Sequence, residues 1–336
     1  MKGRYIQLSH GSGGKMSHEL IENIMLKHFR NPILAALHDG AKLEIDGAKL
    51  AFTTDSYVVT PRFFPGGNIG KLAVCGTVND LAMTGAQPLY LSAAFVLEEG
   101  FSVEELERIV RSMALTASEA GARIVAGDTK VVEKGAVDGL FINTAGVGRI
   151  MDGVDIDAAR VRAGQKIILS GSLGDHSIAI MGERHGLELP GTIVSDCAPL
   201  NSLVEIILHE APETAMLRDV TRGGLATCLN EIALASRTGL LIREESLPIR
   251  SEVQAVCDIL GFDPLNLANE GKLIAIVEEN KSGQILNAMR AHPLGLNAQI
   301  IGTVSANHPG QVGLMTGVGG IRLLDMLTGE QLPRIC

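Results

Sequence analysis

The chain has 336 residues, of which 46% are hydrophobic and 20% are charged, and its formal net charge is −9. This composition is typical of a soluble globular protein with about two domains. The acidic balance argues against a basic nucleic-acid-binding face, and with 3% aromatic residues and no Trp the chain is poorly suited to base stacking, so we expect no nucleic-acid partner.

The first 15 residues are polar and rich in glycine, a pattern that fits neither a signal peptide nor a transit peptide. The apolar run at residues 90–97 is too short to span a bilayer. We therefore expect a cytoplasmic protein that does not insert into a membrane.

Residues 10–15 resemble a P-loop, but Ser9 and Met16 replace the glycine and the hydroxyl residue that a P-loop requires. A glycine-rich segment can still surround an anion with its backbone amides, and Lys15 adds a positive charge. The loop alone supports an anion site and a flexible N-terminal tail equally well.

Strands and helices alternate through the first half of the chain. The pattern predicts strands at residues 48–52, 90–97, 123–126 and 140–145 and a helix at residues 68–84. Ser102 and Glu105 form a capping box at the start of another helix, which we expect to reach Gly121.

Polar residues at 151–164 indicate a domain boundary. The second half predicts strands at residues 166–170, 273–277 and 299–304 and a helix at about residues 225–236. We expect two α/β-type domains, and the pattern does not decide whether their sheets are parallel or mixed. The last five residues lack any period and predict a mobile tail.

Three aspartates lie among apolar or small residues. Asp55 is predicted to end a strand, Asp80 lies in the helix, and Asp128 is predicted to follow a strand. An isolated buried carboxylate is costly, and Mg²⁺ favours carboxylate and phosphate oxygens, so the three would suit a magnesium–nucleotide site if they converge. Spacing alone favours the alternative that each aspartate caps a turn or helix independently.

Two loops in the second half have anion-binding character, at residues 171–174 and 222–224. Both precede predicted helices, and Arg222 adds a cation. A histidine in the position of His176 is typical of a cap or a surface residue. Glu270 precedes a strand and is interpreted either as a ligand or as a turn carboxylate.

Five cysteines occur without any CxxC pair, which disfavours zinc clusters and a disulfide framework. Cys75 and Cys228 lie among apolar and small residues and are expected to be buried. Cys336 is distinct because it is the last residue.

Taken in order, these segments resemble the HypE family of hydrogenase maturation factors. That family lies within the ATP-binding superfamily of aminoimidazole ribotide synthetase, thiamine-monophosphate kinase and selenophosphate synthetase. Selenophosphate synthetase is disfavoured because no Cys precedes Lys15. The resemblance spans nearly the whole chain and is carried by residues 10–14, 52–57, 66–71, 79–80, 127–132, 143–146, 174–176, 219–224, 269–272 and 333–336.

The resemblance implies an α+β protein with two α/β-type domains of the aminoimidazole ribotide synthetase-like fold. Residues 1–155 would form the ATP- and Mg²⁺-binding domain, whose strands also form a homodimer interface. Residues 156–328 would form the second domain, and residues 329–336 the mobile tail that carries Cys336. The nucleotide would lie between the subunits, beneath the N-terminal glycine-rich loop.

The resemblance also implies a reaction. A HypF-type carbamoyltransferase would load a carbamoyl group onto Cys336, and ATP would activate the oxygen of the resulting carboxamide. Loss of a proton and of phosphate would leave a thiocyanate on Cys336. Its cyanide would pass to iron on a HypC–HypD scaffold for [NiFe]-hydrogenase.

The expected site residues follow from the same resemblance. Metal ligands would be Asp55, Asp80 and Asp128. Glu270 and Lys130 are both candidates for the base, and the sequence does not decide between them. Arg334 or another cation would offset the rise in thiol pKa caused by the terminal carboxylate. The expected nucleotide-binding residues are Gly11, Ser12, Gly13, Gly14, Lys15, Asp55, Asn68, Lys71, Asp80, Asp128, Thr129 and Asn143.

Two alternative functions stay open at this stage. One is a small-molecule kinase or synthetase of the same superfamily, in which Cys336 has no role. The other is a non-catalytic scaffold that binds nucleotide only to order its tail.

Overall fold

The computed structural model describes residues 5–11, 13–29, 31–187, 189, 191–327, 332 and 334–336. Two short N-terminal helices are joined by a π-helical turn, Ile21–Met25. The helices and strands of the first half are α1 (Lys15–Leu20), α2 (Leu26–Phe29), β1 (Ala41–Ile45), β2 (Ala48–Tyr57), β3 (Phe63–Phe64), β4 (Gly67–Asn68), α3 (Ile69–Met83), β5 (Ala86–Glu98), α4 (Val103–Glu119), β6 (Arg123–Val132) and β7 (Leu140–Ile150).

The second half alternates strands with helices that cover its sheet. Its elements are β8 (Lys166–Leu169), α5 (Asp175–His185), α6 (Asn201–Glu210), β9 (Met216–Asp219), α7 (Gly224–Ser236), β10 (Gly239–Arg243), α8 (Ser251–Leu260), β11 (Leu273–Val277), α9 (Glu279–Arg290), β12 (Gln299–Ser305), β13 (Val312–Met315) and β14 (Ile321–Leu324).

Each half contains one mixed sheet. The first has the order β1-β2-β7-β5-β6, and the second has the order β14-β13-β10-β12-β8-β11-β9. The parallel pairs are β5 with β6 and β10 with β13, while the other ladders are antiparallel. The prediction of two domains that mix helices and strands is confirmed.

Several predicted elements match the structure closely. The strand predicted at residues 273–277 is β11, and the capping residue Ser102 accepts a hydrogen bond from the Glu105 amide at 3.3 Å. β5 begins at Ala86 and β7 ends at Ile150, outside their predicted bounds. Two strand ends at candidate ligands are also wrong, because β2 runs through Asp55 and β6 runs through Asp128. Both strands continue because their main-chain ladders with β7 and β5 continue.

Helix α3 lies between the two domains. It contacts β2, β5 and β7 of the first sheet and also β9 and α6 of the second half. A helix with neighbours on both sides has no solvent-facing stripe, which explains its run of apolar and small residues. A side chain at Gly76 would collide with the Tyr57 hydroxyl. The last turn of α3 carries Asp80 to the junction between the domains.

The first sheet separates two rows of side chains. Asp55 is in register with Thr144 of β7, which is buried and contacts Thr77 of α3. Asp128 lies one row further along, in the row of Ala94 and Asn143. Because successive residues of a strand point to opposite faces, the rows of Asp55 and Asp128 face opposite sides of the sheet.

Within the described part of the chain, no helix combines the length and apolar character needed to cross a membrane.

Candidate active site between the two domains

Three carboxylates meet at the junction of the domains. One oxygen each from Asp39, Asp80 and Asp219 lies within 4.8 Å of the others. Asp39 precedes β1, Asp80 lies on α3, and Asp219 ends β9. Thr53 donates a hydrogen bond to Asp80 Oδ2 at 2.8 Å, and Arg218 Nε lies 3.0 Å from Asp39 Oδ1.

The three carboxylates are poorly compensated by protein groups alone. Burial raises the pKa of Asp80 well above its ordinary value, and the charges of Asp219, Asp55 and Asp39 raise it further. Burial and the charge of Asp39 raise the pKa of Asp219 to about 8. A hard divalent cation favours such a set of oxygens and would relieve their repulsion, so the residues fit a Mg²⁺ site.

The structure therefore changes the metal-ligand set predicted from the sequence. Asp80 is kept, and Asp39 and Asp219 join it. Asp55 is close enough to raise the pKa of Asp80 and Asp219, but its Oδ1 lies 3.8 Å from the Arg222 guanidinium and its Oδ2 accepts from the Tyr57 hydroxyl.

Asp128 does not join this cluster within one chain. The expectation that Asp55, Asp80 and Asp128 converge is therefore wrong for a single subunit. Asp128 is exposed on the opposite face of the sheet, where Lys130 Nζ lies 2.9 Å from Asp128 Oδ2. The hydrogen bond from Lys130 lowers the pKa of Asp128. The physical reason is strand parity, which separates Asp128 from the row of Asp55.

The C-terminal residues are docked inward between the domains. The amides of Val58 and Thr60 donate to the main-chain oxygens of Cys336 and Arg334, each at 3.2 Å. The tail thus runs antiparallel beside the segment that follows β2. Ile335 is only 5% exposed and packs within the core of the first domain. The mobility of the tail stays a prediction.

Arg334 holds the tail rather than the thiol. Its Nε donates to the Val58 carbonyl at 2.8 Å, and its Nη1 donates to Asp138 Oδ2 at 2.6 Å. Arg184 donates to the Arg334 carbonyl at 2.9 Å. Arg334 is therefore not the cation that compensates the thiol.

Cys336 lines a cavity of about 100 Å³ between the domains. Burial raises the pKa of the Cys336 thiol to about 12, even though the Arg222 guanidinium acts in the opposite direction. The charges of Glu270, Asp55 and Asp219 add to the rise. The compensating cation is thus Arg222, in one of the two loops to which the sequence assigned anion-binding character. Other residues that line the cavity are Gly11, Gly14, Ser56, Gly223 and Asn266.

The two candidates for the base lie in different places. Glu270 is buried, and burial together with the charge of Cys197 raises its pKa well above the ordinary value. Its charge also raises the pKa of the Cys336 thiol. Lys130 is exposed beside Asp128 on the far face of the first sheet. Within one chain, Glu270 of this pair acts electrostatically on the Cys336 thiol, whereas Lys130 lies on the far face of the first sheet.

The N-terminal glycine-rich loop borders the same cavity. Gly13 has a φ of +82°, and a Cβ on it would lie 3.0 Å from Arg222 Cβ, so the close contact requires glycine. Arg222 Nη1 donates to the Gly11 carbonyl at 3.3 Å. Ser12 lies outside the described residues. The Lys15 ammonium lies 2.6 Å from Asp325 Oδ2, where it forms an ion pair.

The remaining nucleotide-binding candidates lie on other surfaces. Asn68 caps α3 by accepting from the amides of Gly70 and Lys71, and Lys71 Nζ donates to the Gly66 carbonyl at 3.1 Å. Asn143 lies on the exposed face of the first sheet and donates to the Asp55 carbonyl at 2.8 Å.

Thr129 occupies β6 beside Asp128 and is in register with Phe95. Like Asn68, Lys71 and Asn143, it does not line the Cys336 cavity in the described chain. A nucleotide role for these four residues stays a prediction.

Two candidate ligands were missed by the sequence reasoning. Asp219 was noted only as part of the loop before α7. Asp39 follows a histidine and precedes Gly40, a turn pattern without specific information. His176 is fully buried, so its interpretation as a cap or surface residue is wrong.

Comparison with known proteins gives the family. The N-terminal domain model of AIR synthase related proteins matches residues 37–150, and the C-terminal domain model of these proteins matches residues 162–314. The carbamoyl dehydratase HypE of Rhodobacter capsulatus is 53% identical over 339 residues, which cover 100% of this chain and 99% of the relative.

Solved structures agree with the sequence match. The hydrogenase maturation protein HypE in complex with ATP has a TM-score of 0.83 and 50% identity, and the match covers 99% of this chain and 100% of the other. A HypE–HypF complex includes a chain with a TM-score of 0.87 and 46% identity, covering 92% of this chain and 99% of the other. The chain therefore belongs to the HypE family of hydrogenase maturation proteins, built on the two-domain AIR synthase related fold.

Proposed function

We propose that this protein is an ATP-dependent carbamoyl dehydratase that acts on a carbamoyl group attached to its own Cys336. The observation that carries this proposal is the inward position of Cys336, in a cavity between the domains beside Arg222 and within the electrostatic reach of Glu270. Relatives named carbamoyl dehydratase and a relative solved with ATP support the same reading.

The reaction balances as a dehydration coupled to ATP cleavage. The carboxamide oxygen on Cys336 accepts the terminal phosphoryl group of ATP, and the carboxamide nitrogen loses one proton. The products are an O-phosphorylated imidate and ADP. The second N–H proton and the phosphate then leave, so that the C–O bond breaks and a thiocyanate, S–C≡N, remains. An amide oxygen is a poor leaving group, and its phosphorylation overcomes this difficulty.

The residues of the junction have separate tasks in this scheme. Asp39, Asp80 and Asp219 would hold Mg²⁺, which supplies neutralisation of phosphate charge. Arg222 supplies a fixed positive charge at the reacting end of the tail. Burial of the site strengthens these electrostatic interactions, because water is excluded from them.

We assign proton removal to Glu270. Its raised pKa makes the ionised carboxylate a stronger base than an exposed glutamate, and its position near Cys336 is suitable. Lys130 could reach this site only from a second subunit. The exposed apolar residues of β6, Ile124, Val125 and Val131, support a homodimer through the strands of the first domain.

The wider assignment follows the family. A HypF-type carbamoyltransferase would load Cys336, as a solved HypE–HypF complex suggests for its own members. The thiocyanate would then give its cyanide to iron on a HypC–HypD scaffold in the cytoplasm, for [NiFe]-hydrogenase.

Intact mass measurement tests the proposal. The wild-type protein, incubated with a carbamoyl donor system, should gain one carbamoyl mass on Cys336 and then lose one water when ATP is added. Glu270→Gln should gain the carbamoyl mass but lose water far more slowly, whereas Cys336→Ala should gain no mass. Carbamoylation of the alanine variant, or a small molecule phosphorylated equally well without Cys336, would contradict the proposal.

A further inference from the structure

A buried histidine touches the docked tail. His176, near the start of α5, is fully buried, and its ring meets Phe64 edge-on at 5.6 Å between ring centres. His176 Nε2 lies 2.9 Å from the carbonyl oxygen of Ile335, the residue next to Cys336. His176 Nδ1 lies 2.8 Å from Ser195 Oγ.

These contacts determine which nitrogen carries the proton. The Ile335 oxygen can only accept, so Nε2 must donate to it. Burial lowers the pKa of His176, which favours the neutral ring, and Nδ1 is then an acceptor for the Ser195 hydroxyl. Ser195 Oγ in turn accepts from the Cys197 amide at 3.1 Å. The chain of donors therefore runs in one direction, from the Cys197 amide to Ser195, from Ser195 to His176, and from His176 to the tail.

We propose that His176 is a positioning residue for the reaction, which holds the tail inward through the Ile335 carbonyl so that the group on Cys336 stays in the interdomain cavity. The contact joins the two domains functionally, because His176 belongs to the second half whereas the tail lies along the segment after β2 of the first half. Its chemical consequence rests on the proposed function, but its structural part does not.

The geometry makes this hold independent of what Cys336 carries. His176 binds a main-chain oxygen one residue before the cysteine, so a free thiol, a carboxamide and a thiocyanate all leave the bond intact. Loss of the donor would leave the Ile335 carbonyl buried without this partner, since the residue is only 5% exposed. Such a loss destabilises the docked tail because a buried carbonyl requires a donor.

Two substitutions test the two hydrogen bonds of the His176 ring separately. Glutamine places its amide nitrogen near the position of imidazole Nε2, so His176→Gln can still donate to Ile335. Asparagine reaches only as far as Nδ1, so His176→Asn can still bond Ser195 but not the tail. Both variants are polar and smaller than histidine or equal to it in reach, which makes them a matched pair.

The tail position is measured on the unmodified protein by limited trypsin digestion. Trypsin cleaves after Arg334, whose side chain is held by Val58 and Asp138 when the tail is docked. Release of the Ile335–Cys336 dipeptide, followed by intact mass, should be roughly tenfold faster or more in His176→Asn than in wild type, from the loss of one buried hydrogen bond. His176→Gln should retain most of the protection. Equal cleavage of the two variants, or wild-type protection in His176→Asn, overturns the proposal.

Two further readouts distinguish positioning from a general structural role. In wild-type protein, ¹⁵N NMR of labelled histidine should show His176 protonated at Nε2, and the opposite tautomer overturns the proposal. In single-turnover dehydration of pre-carbamoylated protein at saturating ATP, His176→Asn should be slowed relative to His176→Gln, while the two variants have similar melting temperatures and similar ATP affinity. An unchanged dehydration rate in a variant with a released tail overturns the positioning role. If even wild-type protein fails to dehydrate, the proposed function fails, and the trypsin and NMR results still decide the contact.

Discussion

In the pair formed by Cys336 and Arg222, docking of the tail opposes ionisation of the Cys336 thiol. The thiol of the half-buried Cys336 experiences the charges of Glu270, Asp55 and Asp219, which raise its pKa, and Arg222 only partly compensates them. A neutral group on Cys336 is therefore better accommodated than a thiolate. Carbamoylation keeps the cysteine neutral at every pH, so above pH 9 it would favour the inward position, in which the proposed dehydration takes place.

This balance predicts a pH dependence of tail docking. Docking raises the thiol pKa from its ordinary 9.0 to about 12, so the contribution of the neutral thiol is complete below pH 9 and is lost progressively as the pH rises towards 12. Tryptic release of the Ile335–Cys336 dipeptide should therefore increase between pH 8 and pH 10 in wild type relative to Cys336→Ser, whose side chain does not ionise. Identical pH profiles for the two proteins would show that the thiol does not titrate in a buried site.

The tail and the segment after β2 form the element on which the site depends. Two main-chain hydrogen bonds, the hydrogen bonds from Arg334 to Val58 and Asp138, and the burial of Ile335 stabilise the docked tail. The docked end of the chain reaches a cavity of only about 100 Å³. There is thus little space beyond Cys336 for additional residues.

Extension of the chain should therefore block the inward position. Adding Gly-Ser after Cys336 is expected to abolish ATP-dependent dehydration and to expose the Arg334–Ile335 bond to trypsin, because the added residues crowd the cavity. Inserting the same two residues at Gly319, in the turn between β13 and β14, is a matched control, since a side chain at that position meets open space. Normal dehydration by the extended protein would exclude the docked tail as the reacting state.

Several helices and strands could be predicted from the sequence. The capping box at Ser102, the strand β11 and the interleaved helices follow from local patterns. The ends of β2 and β6 do not, because polar residues are tolerated within strands whose outer face lies in solvent. The register that places Asp55 and Asp128 on opposite faces depends on pairing across four strands and on an irregularity at Leu91 and Ser92. Neither this register nor this irregularity can be predicted from a local sequence pattern.

At the scale of the whole molecule, the site draws on both domains. Asp80 comes from the first domain, Asp219 and Glu270 come from the second, and the tail closes the cavity between them. Sequence motifs supplied most of these residues but not their grouping, which the packing of α3 against both sheets produces. Asp128 and Lys130 remain outside this grouping within one chain, which is the reason to test a second subunit.

Intersubunit complementation tests that arrangement. If Asp128 serves the site of a partner subunit, Asp80→Asn and Asp128→Asn should each be nearly inactive alone. A mixed dimer of the two variants contains one site with both aspartates intact, so random reassortment should restore about a quarter of the wild-type dehydration activity. Loading of Cys336 should remain normal in both variants. If mixing restores nothing, Asp128 does not act across a subunit interface.

The most direct test of the central claim follows the carbon atom itself. Cys336 is loaded with a ¹³C-labelled carbamoyl group, excess donor is removed, and ¹³C NMR is recorded before and after addition of ATP and Mg²⁺. We expect the thiocarbamate carbonyl signal to disappear and a thiocyanate nitrile signal to replace it on the same protein. The amount of nitrile formed should be proportional to the phosphate released. A carbonyl signal that persists while ATP is consumed, or a label that leaves the protein without forming a nitrile, would contradict this expectation.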